Sequence, residues 1–193
     1  LRLISGINPY FSSYELGAKE TFTTPEFFFT MSYEGLSRAS RNLHNWARKY
    51  QLKDGQKGRL TLLNNWEATY FDFNEEKLCN LMGDAVKLGV DMFLLDDGWF
   101  GKRNDDTCAL GDWEVNENKL RGGIGSLISR IKGLGLKFGI WYEPEMISPD
   151  SDLFRAHPDW HVHVKGREPM QGRQQYVLDV SRKDVRDHLW QMM

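Results

Sequence analysis

The sequence predicts an α/β chain built from parallel βαβ units, and three observations carry that prediction. After Arg59, short apolar runs alternate with amphipathic stretches at helical spacing. Two segments, Lys87-Leu88-Gly89-Val90 and Gly133-Leu134-Gly135-Leu136, repeat the same passage from a helix end into a strand. The middle run, Val90 to Leu95, is apolar except for Asp91, as a strand covered on both faces requires.

Taken in order, residues 1–35 read as short and strand-like. A turn falls at Gly6-Ile7-Asn8-Pro9, and a β-branched and aromatic stretch runs from Thr21 to Met31. Ser37 or Ser40 then caps a helix through Ala47, with Leu43, Trp46, Ala47 and Tyr50 at helical spacing, before Asp54-Gly55 and Gly58 break it. Residues 37–58 thereby read as a helical linker and residues 59–193 as a separate α/β region. Leu60 to Trp66 is the first strand of that region. Asn74 caps the next helix, Glu75 and Glu76 place negative charge in its first turn, and Leu78, Leu81, Met82 and Ala85 form its buried stripe. Gly89 ends it before the strand Val90 to Leu95. A polar excursion from Gly101 to Asn118 leads to a second helix, where Ile124, Leu127, Ile128 and Ile131 repeat at i, i+3, i+4, i+7. Gly133 or Gly135 stops this helix before the strand Leu136 to Trp141. Tyr176 to Val180 reads as a strand and Lys183 onward as a helix, and pattern alone leaves open whether that strand belongs to the parallel set or is inserted.

Composition narrows the function classes. Lys and Arg number 25 against 27 Asp and Glu, and no basic block suited to a phosphate backbone occurs, so nucleic acid is not expected as a partner. Cys79 and Cys108, the two cysteines, lack metal-ligand spacing and read as reduced thiols. No uninterrupted apolar run is long enough to cross a bilayer, and the expectation is a cytoplasmic protein with no membrane partner. The chain begins at Leu1 rather than Met, so the natural N-terminus, with any targeting segment, is expected upstream. A complete α/β barrel needs about 250 residues, so 193 residues are expected to hold part of one.

Chemistry concentrates at the carboxyl ends of the three strands, where parallel α/β architectures place their ligands. These ends read Asn64-Asn65-Trp66-Glu67, Asp96-Asp97-Gly98-Trp99 and Trp141-Tyr142-Glu143-Pro144-Glu145. Each delivers carboxylates or amides beside an indole. A sugar offers hydroxyls that seek acceptors and an apolar C–H face that seeks an aromatic plane, and this combination supplies both. Two other readings stand beside it. Asp96 or Asp97 caps a loop while Trp66, Trp99 or Trp141 plugs the mouth of the sheet; or Asp96, Asp97, Glu143 and Glu145 gather oxygen ligands for magnesium. Against the metal stands the lack of histidine at these ends, since His44, His157, His161, His163 and His188 fall in a helix or near Trp160.

The motifs Asn64-Asn65-Trp66-Glu67-Ala68, Leu95-Asp96-Asp97-Gly98-Trp99-Phe100 with Gly111-Asp112-Trp113, and Trp141-Tyr142-Glu143-Pro144-Glu145-Met146 resemble those of glycoside hydrolase family 36 α-galactosidases. Ser148-Pro149-Asp150-Ser151-Asp152-Leu153, Ala156-His157-Pro158-Asp159-Trp160 and Val177-Leu178-Asp179-Val180-Ser181 continue the resemblance in order over essentially the whole chain. The resemblance implies the first part of a (β/α)8 TIM barrel, residues 59–193, preceded by the C-terminal end of a β-supersandwich domain, residues 1–36. It implies retaining cleavage of terminal α-1,6-linked galactose from melibiose- and raffinose-type oligosaccharides, without a metal or organic cofactor, and it leaves a homo-oligomeric parent open. Matched by motif, Asp96 and Asp97 would accept hydrogen bonds from galactose hydroxyls, Trp66 and Trp141 would line the pocket, and Arg173 in Gly172-Arg173-Gln174 would reach the sugar.

One departure bears on mechanism. Retaining cleavage needs a carboxylate nucleophile and a second carboxyl as acid/base, about 5 Å apart across the sugar. The family's nucleophile lies in a Lys-Trp-Asp motif and its acid/base is a later aspartate; neither motif occurs before Met193. Residue types alone suggest Asp97 with Glu143 or Glu145 as the catalytic pair, whereas the resemblance makes these binding and supporting residues and leaves no catalytic residue within the chain. The competing class is a non-catalytic carbohydrate-binding or structural barrel fragment.

Overall fold

The structure, a computed structural model, describes residues 2–10 and 13–193. They divide into two units, Leu1–Gly58 and Arg59–Met193. The first unit contains one regular element among its described residues, helix α1 at Leu36–Tyr50. Its start differs from the expected Ser37 or Ser40 cap: Gly35 takes the cap position at φ 86° with no side-chain hydrogen bond, and both serines lie inside the helix. Gln51 and Leu52 close the other end by donating to the Ala47 carbonyl, each at 2.9 Å, so the helix runs three residues past the expected Ala47. Trp46 packs on Phe28, ring centroids 4.1 Å apart. The expected strand from Thr21 to Met31 is a correction, because described residues before Gly35 form no strand. A strand exists only through a partner that takes its N–H and C=O groups, and β propensity alone cannot supply one. The part of the strand-like expectation that falls on residues 1, 11 and 12 lies outside the described residues.

In the second unit, strands β1 (Leu62–Asn64), β2 (Met92–Leu95) and β3 (Lys137–Ile140) form one parallel sheet in that order. Leu63 pairs with Phe93 and Phe93 with Phe138, with Leu95 opposite Ile140. Helices supply the crossovers: the short α2 (Trp66–Thr69) and α3 (Glu75–Lys87) between β1 and β2, and α4 (Gly123–Gly133) between β2 and β3. Asn74 begins α3 as its residue type dictates, its Oδ1 accepting the Lys77 N–H at 2.9 Å. Both crossover helices stop by one device. Gly89 and Gly135 enter the left-handed region at φ 72° and 79°, and the next residue donates five residues back, Val90 to Ala85 at 3.0 Å and Leu136 to Ile131 at 3.2 Å. The repeated helix-to-strand passage in the sequence is this repeated turn.

The core lies between sheet and helices. Leu78, Met82 and Ala85 of α3, Leu127 and Ile131 of α4, and Phe93 and Leu95 of β2 are buried together with Trp99, Phe100 and Trp113. Leu81, expected in the buried stripe of α3, packs at its edge and is partly exposed. Gly139 in β3 leaves room for Met92, whose terminal methyl would lie 2.4 Å from a Cβ at that position.

After β3 the chain leaves the parallel pattern. Strand β4 (Met146–Ile147) pairs antiparallel with β5 (Tyr176–Val177), so the strand at Tyr176 is an inserted one and ends earlier than the expected Val180. Helices α5 (Asp152–Ala156) and α6 (Lys183–Met192) complete the unit, with a second core of Ile147, Leu153, Trp160, Leu178, Val185 and Leu189. Asp112 explains part of the Gly-Asp-Trp motif, since its carboxylate accepts the Asp152 and Leu153 N–H groups at 2.9 Å each and anchors the start of α5. No described helix is long and apolar enough to cross a membrane.

Candidate functional site

Because β1, β2 and β3 are parallel, their carboxyl ends face the same way, and the register fixes what emerges there. Asn65 and Trp66 follow β1, Asp96 and Asp97 follow β2, and Trp141 follows β3, its N–H donating to Leu95 O at 2.8 Å. The buried Asn65 stitches two of these ends: its Oδ1 accepts the Asp96 N–H at 2.8 Å, while its Nδ2 donates to Thr69 Oγ1 at 2.9 Å.

The two aspartates are held differently. Asp96 is half-buried; its Oδ1 accepts the Asp97 N–H at 2.7 Å and its Oδ2 accepts Asn64 Nδ2. Asp97 is 7% exposed and lies against the guanidinium of Arg103, which is 1% exposed. Arg103 Nε donates to Asp97 Oδ1 at 3.0 Å and Nη2 to Oδ2 at 2.8 Å, a two-pronged pairing of the kind that fixes a carboxylate plane. Arg103 Nη1 continues to the Cys108 carbonyl at 2.8 Å, and its cationic carbon sits 5.5 Å over the Phe71 ring. Each ionised carboxylate offers about four lone-pair positions, so both aspartates keep acceptor capacity after these bonds.

Aromatic side chains surround the acids. Trp66 is held edge-on by Tyr70 and Phe71, centroids 5.3 and 4.9 Å away. Trp141 stacks with Phe100 at 6.3 Å and meets Trp113 at 6.0 Å, and the Trp99 indole N–H donates to the Trp141 carbonyl at 3.0 Å. Trp99 is thus a buried support, whereas Trp66 and Trp141 keep part of their surface open. Glu143, two residues beyond Trp141, bonds Arg173 Nη2 through its Oε1 at 2.6 Å. Burial pushes the Glu143 carboxyl up, Arg173 draws it down, and the charges of Glu145 and Asp97 push it up again. Arg173 therefore reaches the β3 end of the site through Glu143, while Trp66, Asp96, Asp97 and Trp141 arise directly from the three strand ends. The magnesium alternative meets carboxylates already turned toward donors: Asp97 toward Arg103, Asp96 toward Asn64 and Glu143 toward Arg173.

Comparison with known proteins decides the family. The family profile described as Melibiase matches residues 21–193. The chain belongs to this family. It is 51% identical over 188 residues to the bifunctional alpha-galactosidase/sucrose kinase AgaSK of Mediterraneibacter gnavus, covering 96% of this chain and 20% of that protein. It is 47% identical over 190 residues to alpha-galactosidase AgaA of Geobacillus stearothermophilus, covering 97% of this chain and 26% of the relative. A crystal structure of an AgaA variant bound to 1-deoxygalactonojirimycin superposes with a TM-score of 0.80 at 48% identity, over 83% of this chain and 23% of that one. The chain thus spans 20% and 26% of the length of these two family members.

Two residues of this candidate site escaped the sequence reading. Arg103 lies in the polar excursion with no motif to mark it. Lys119 lies one residue past that excursion, and its Nζ donates to the carbonyls of Phe71, Gly98 and Arg103, all at 2.9 Å. Burial draws its ammonium down, and the Asp97 charge holds it up. Lys119 thereby ties the segment after β1 to the loop that carries Asp97 and Arg103. A lysine preceding Leu120 at a turn carries no local signal for either role.

Proposed function

We propose that the full-length protein is a retaining α-galactosidase that cleaves terminal α-1,6-linked galactose from melibiose- and raffinose-type oligosaccharides, and that this chain supplies part of its galactose subsite. The observation that carries the reading is the meeting of carboxylates and indoles at three adjacent parallel strand ends. In this reading residues 59–193 open a (β/α)8 barrel, residues 37–58 are its helical linker and residues 1–36 are the tail of a β-supersandwich domain. Asp96 and Asp97 accept galactose hydroxyls with their remaining lone pairs, Trp66 and Trp141 line the pocket, and Arg173 donates from the β3 side. The nucleophile and acid/base aspartates belong to sequence beyond Met193. Support comes from AgaA variants, which have been crystallised with raffinose and with stachyose. The free thiols of Cys79 and Cys108 suit a reducing, cytoplasmic compartment.

Proton NMR of raffinose hydrolysis by the full-length protein tests the reaction: α-galactose is expected as the first product. β-Galactose appearing first would overturn retention, and binding without turnover would leave a non-catalytic carbohydrate module. Residues 1–193 expressed alone are expected to release no p-nitrophenol from p-nitrophenyl α-galactoside above background, because binding groups without the two reacting carboxyls do not break the bond. Turnover by that polypeptide would return Asp97, Glu143 and Glu145 as candidate catalysts.

A further inference from the structure

The segment that carries Arg173 is built against the preferences of its residues. Gly172 and Gln175 exchange two backbone hydrogen bonds, 3.1 and 3.0 Å, which closes a hairpin with Arg173 and Gln174 as its two-residue loop. Both loop residues sit in the left-handed region, at φ 51° and 60°. A two-residue hairpin with both φ positive favours Asn-Gly, because a Cβ crowds the backbone there. Arginine and glutamine hold such a geometry only where surrounding contacts determine it, and strain of this kind gathers at working sites.

The determining contact is Glu143. Its side chain is 14% exposed while that of Arg173 is 68% exposed, so a half-buried carboxylate holds an outward-lying cation. Gln175, 1% exposed, adds a second acceptor for the same Nη2 at 3.4 Å. The hairpin is tied to the Glu143 segment through the backbone as well, by β4–β5 pairing and by Leu178 N–H donating to Glu145 O at 2.8 Å. Among the described residues only Nη2 is engaged, and Nε and Nη1 keep their donors for a ligand. Like charge from Asp97 and Glu145 reaches Glu143, and the Arg173 contact offsets that repulsion.

We propose that Glu143 is a positioning residue of this site: it aims the Arg173 guanidinium over the strand ends and sustains the left-handed turn that brings it there. The proposal rests on the reading of Arg173 as a sugar contact. A guanidinium with two free donor nitrogens fits adjacent hydroxyl oxygens of a pyranose, and a contact made equally before and during reaction acts on KM more than on kcat.

The test uses the full-length protein with Glu143→Gln, Arg173→Lys and the double variant, on raffinose, together with the rate at which phenylglyoxal modifies Arg173, read by peptide mass spectrometry. Glutamine keeps the shape of Glu143 and loses its charge. Each single variant is expected to raise KM about ten-fold with kcat within about two-fold, and the double variant to match the worse single one, since both remove one interaction. Modification of Arg173 is expected to be several-fold faster in Glu143→Gln. Additive losses, or an unchanged modification rate, would overturn the positioning role. A protein that does not cleave raffinose would sink the proposed activity alone, because the modification rate still decides whether Glu143 holds Arg173.

Discussion

Residues 92–113 and residues 21–33 are both rich in aromatic side chains, and the chain treats them in opposite ways. Phe93, Trp99, Phe100 and Trp113 are at most 6% exposed, whereas Phe27, Phe28 and Phe29 are 57%, 53% and 66% exposed. The residue types are alike; the neighbours differ. Phe93 sits on a strand with a partner on each side and a helix against its face, so its ring loses water on forming contacts that already exist. The stretch before Gly35 has no ladder among its described residues, and only single contacts such as Phe28 on Trp46 cover its rings. Aromatic content therefore predicts a core only where backbone pairing supplies a surface to pack against.

The comparison is sharpened most by Arg103→Met. This change leaves the Asp97 carboxylate buried without its partner and is expected to cost about 3–5 kcal/mol. Hydrogen exchange in the full-length protein should report the loss at peptides covering Met92–Leu95 and leave residues 13–33 unchanged; unaltered protection of β2 would mean that Asp97 finds another cation. A smaller effect is expected from Asn74→Ala, which removes the Asn74 side chain from the start of α3, at about 1 kcal/mol in the protection of Glu75–Lys87. The smallest is expected from Phe29→Ser, within about 0.5 kcal/mol, because this ring is mostly in water already. A loss of 2 kcal/mol or more, roughly the range of a buried aromatic, would break the comparison by revealing that these rings are covered in the full-length protein.

What the sequence made legible was chemistry that acts over a few residues or at a fixed period. Asn74 with Glu75 and Glu76, Gly89 and Gly135 each govern a turn of their own helix, so their residue types suffice. The three strand ends were readable for the same reason, because an apolar run of strand length announces where its polar continuation must emerge. Arg103 and Lys119 were not readable. Arg103 meets Asp97 only because a loop folds back on itself, and Lys119 reaches Phe71 from 48 residues away. The β5 strand was visible as a strand, but its antiparallel partner at Met146–Ile147 is set by tertiary pairing and leaves no trace in its own alternation. The Thr21 to Met31 stretch misled for the complementary reason: it has the propensity and lacks the ladder.

Lys119 has a consequence for how the site is kept assembled. Three carbonyl oxygens, each 2.9 Å from one positive centre, make an oxygen cage of the sort that proteins often fill with a dissolved cation. Here the ion is carried on the end of a side chain. Its occupancy does not depend on the supply of any salt, no chelator can strip it, and the backbone of the Asn116–Leu120 turn carries it. The loop bearing Asp97 and Arg103 and the segment after β1 are thus gathered by an ion that the protein synthesises as part of itself.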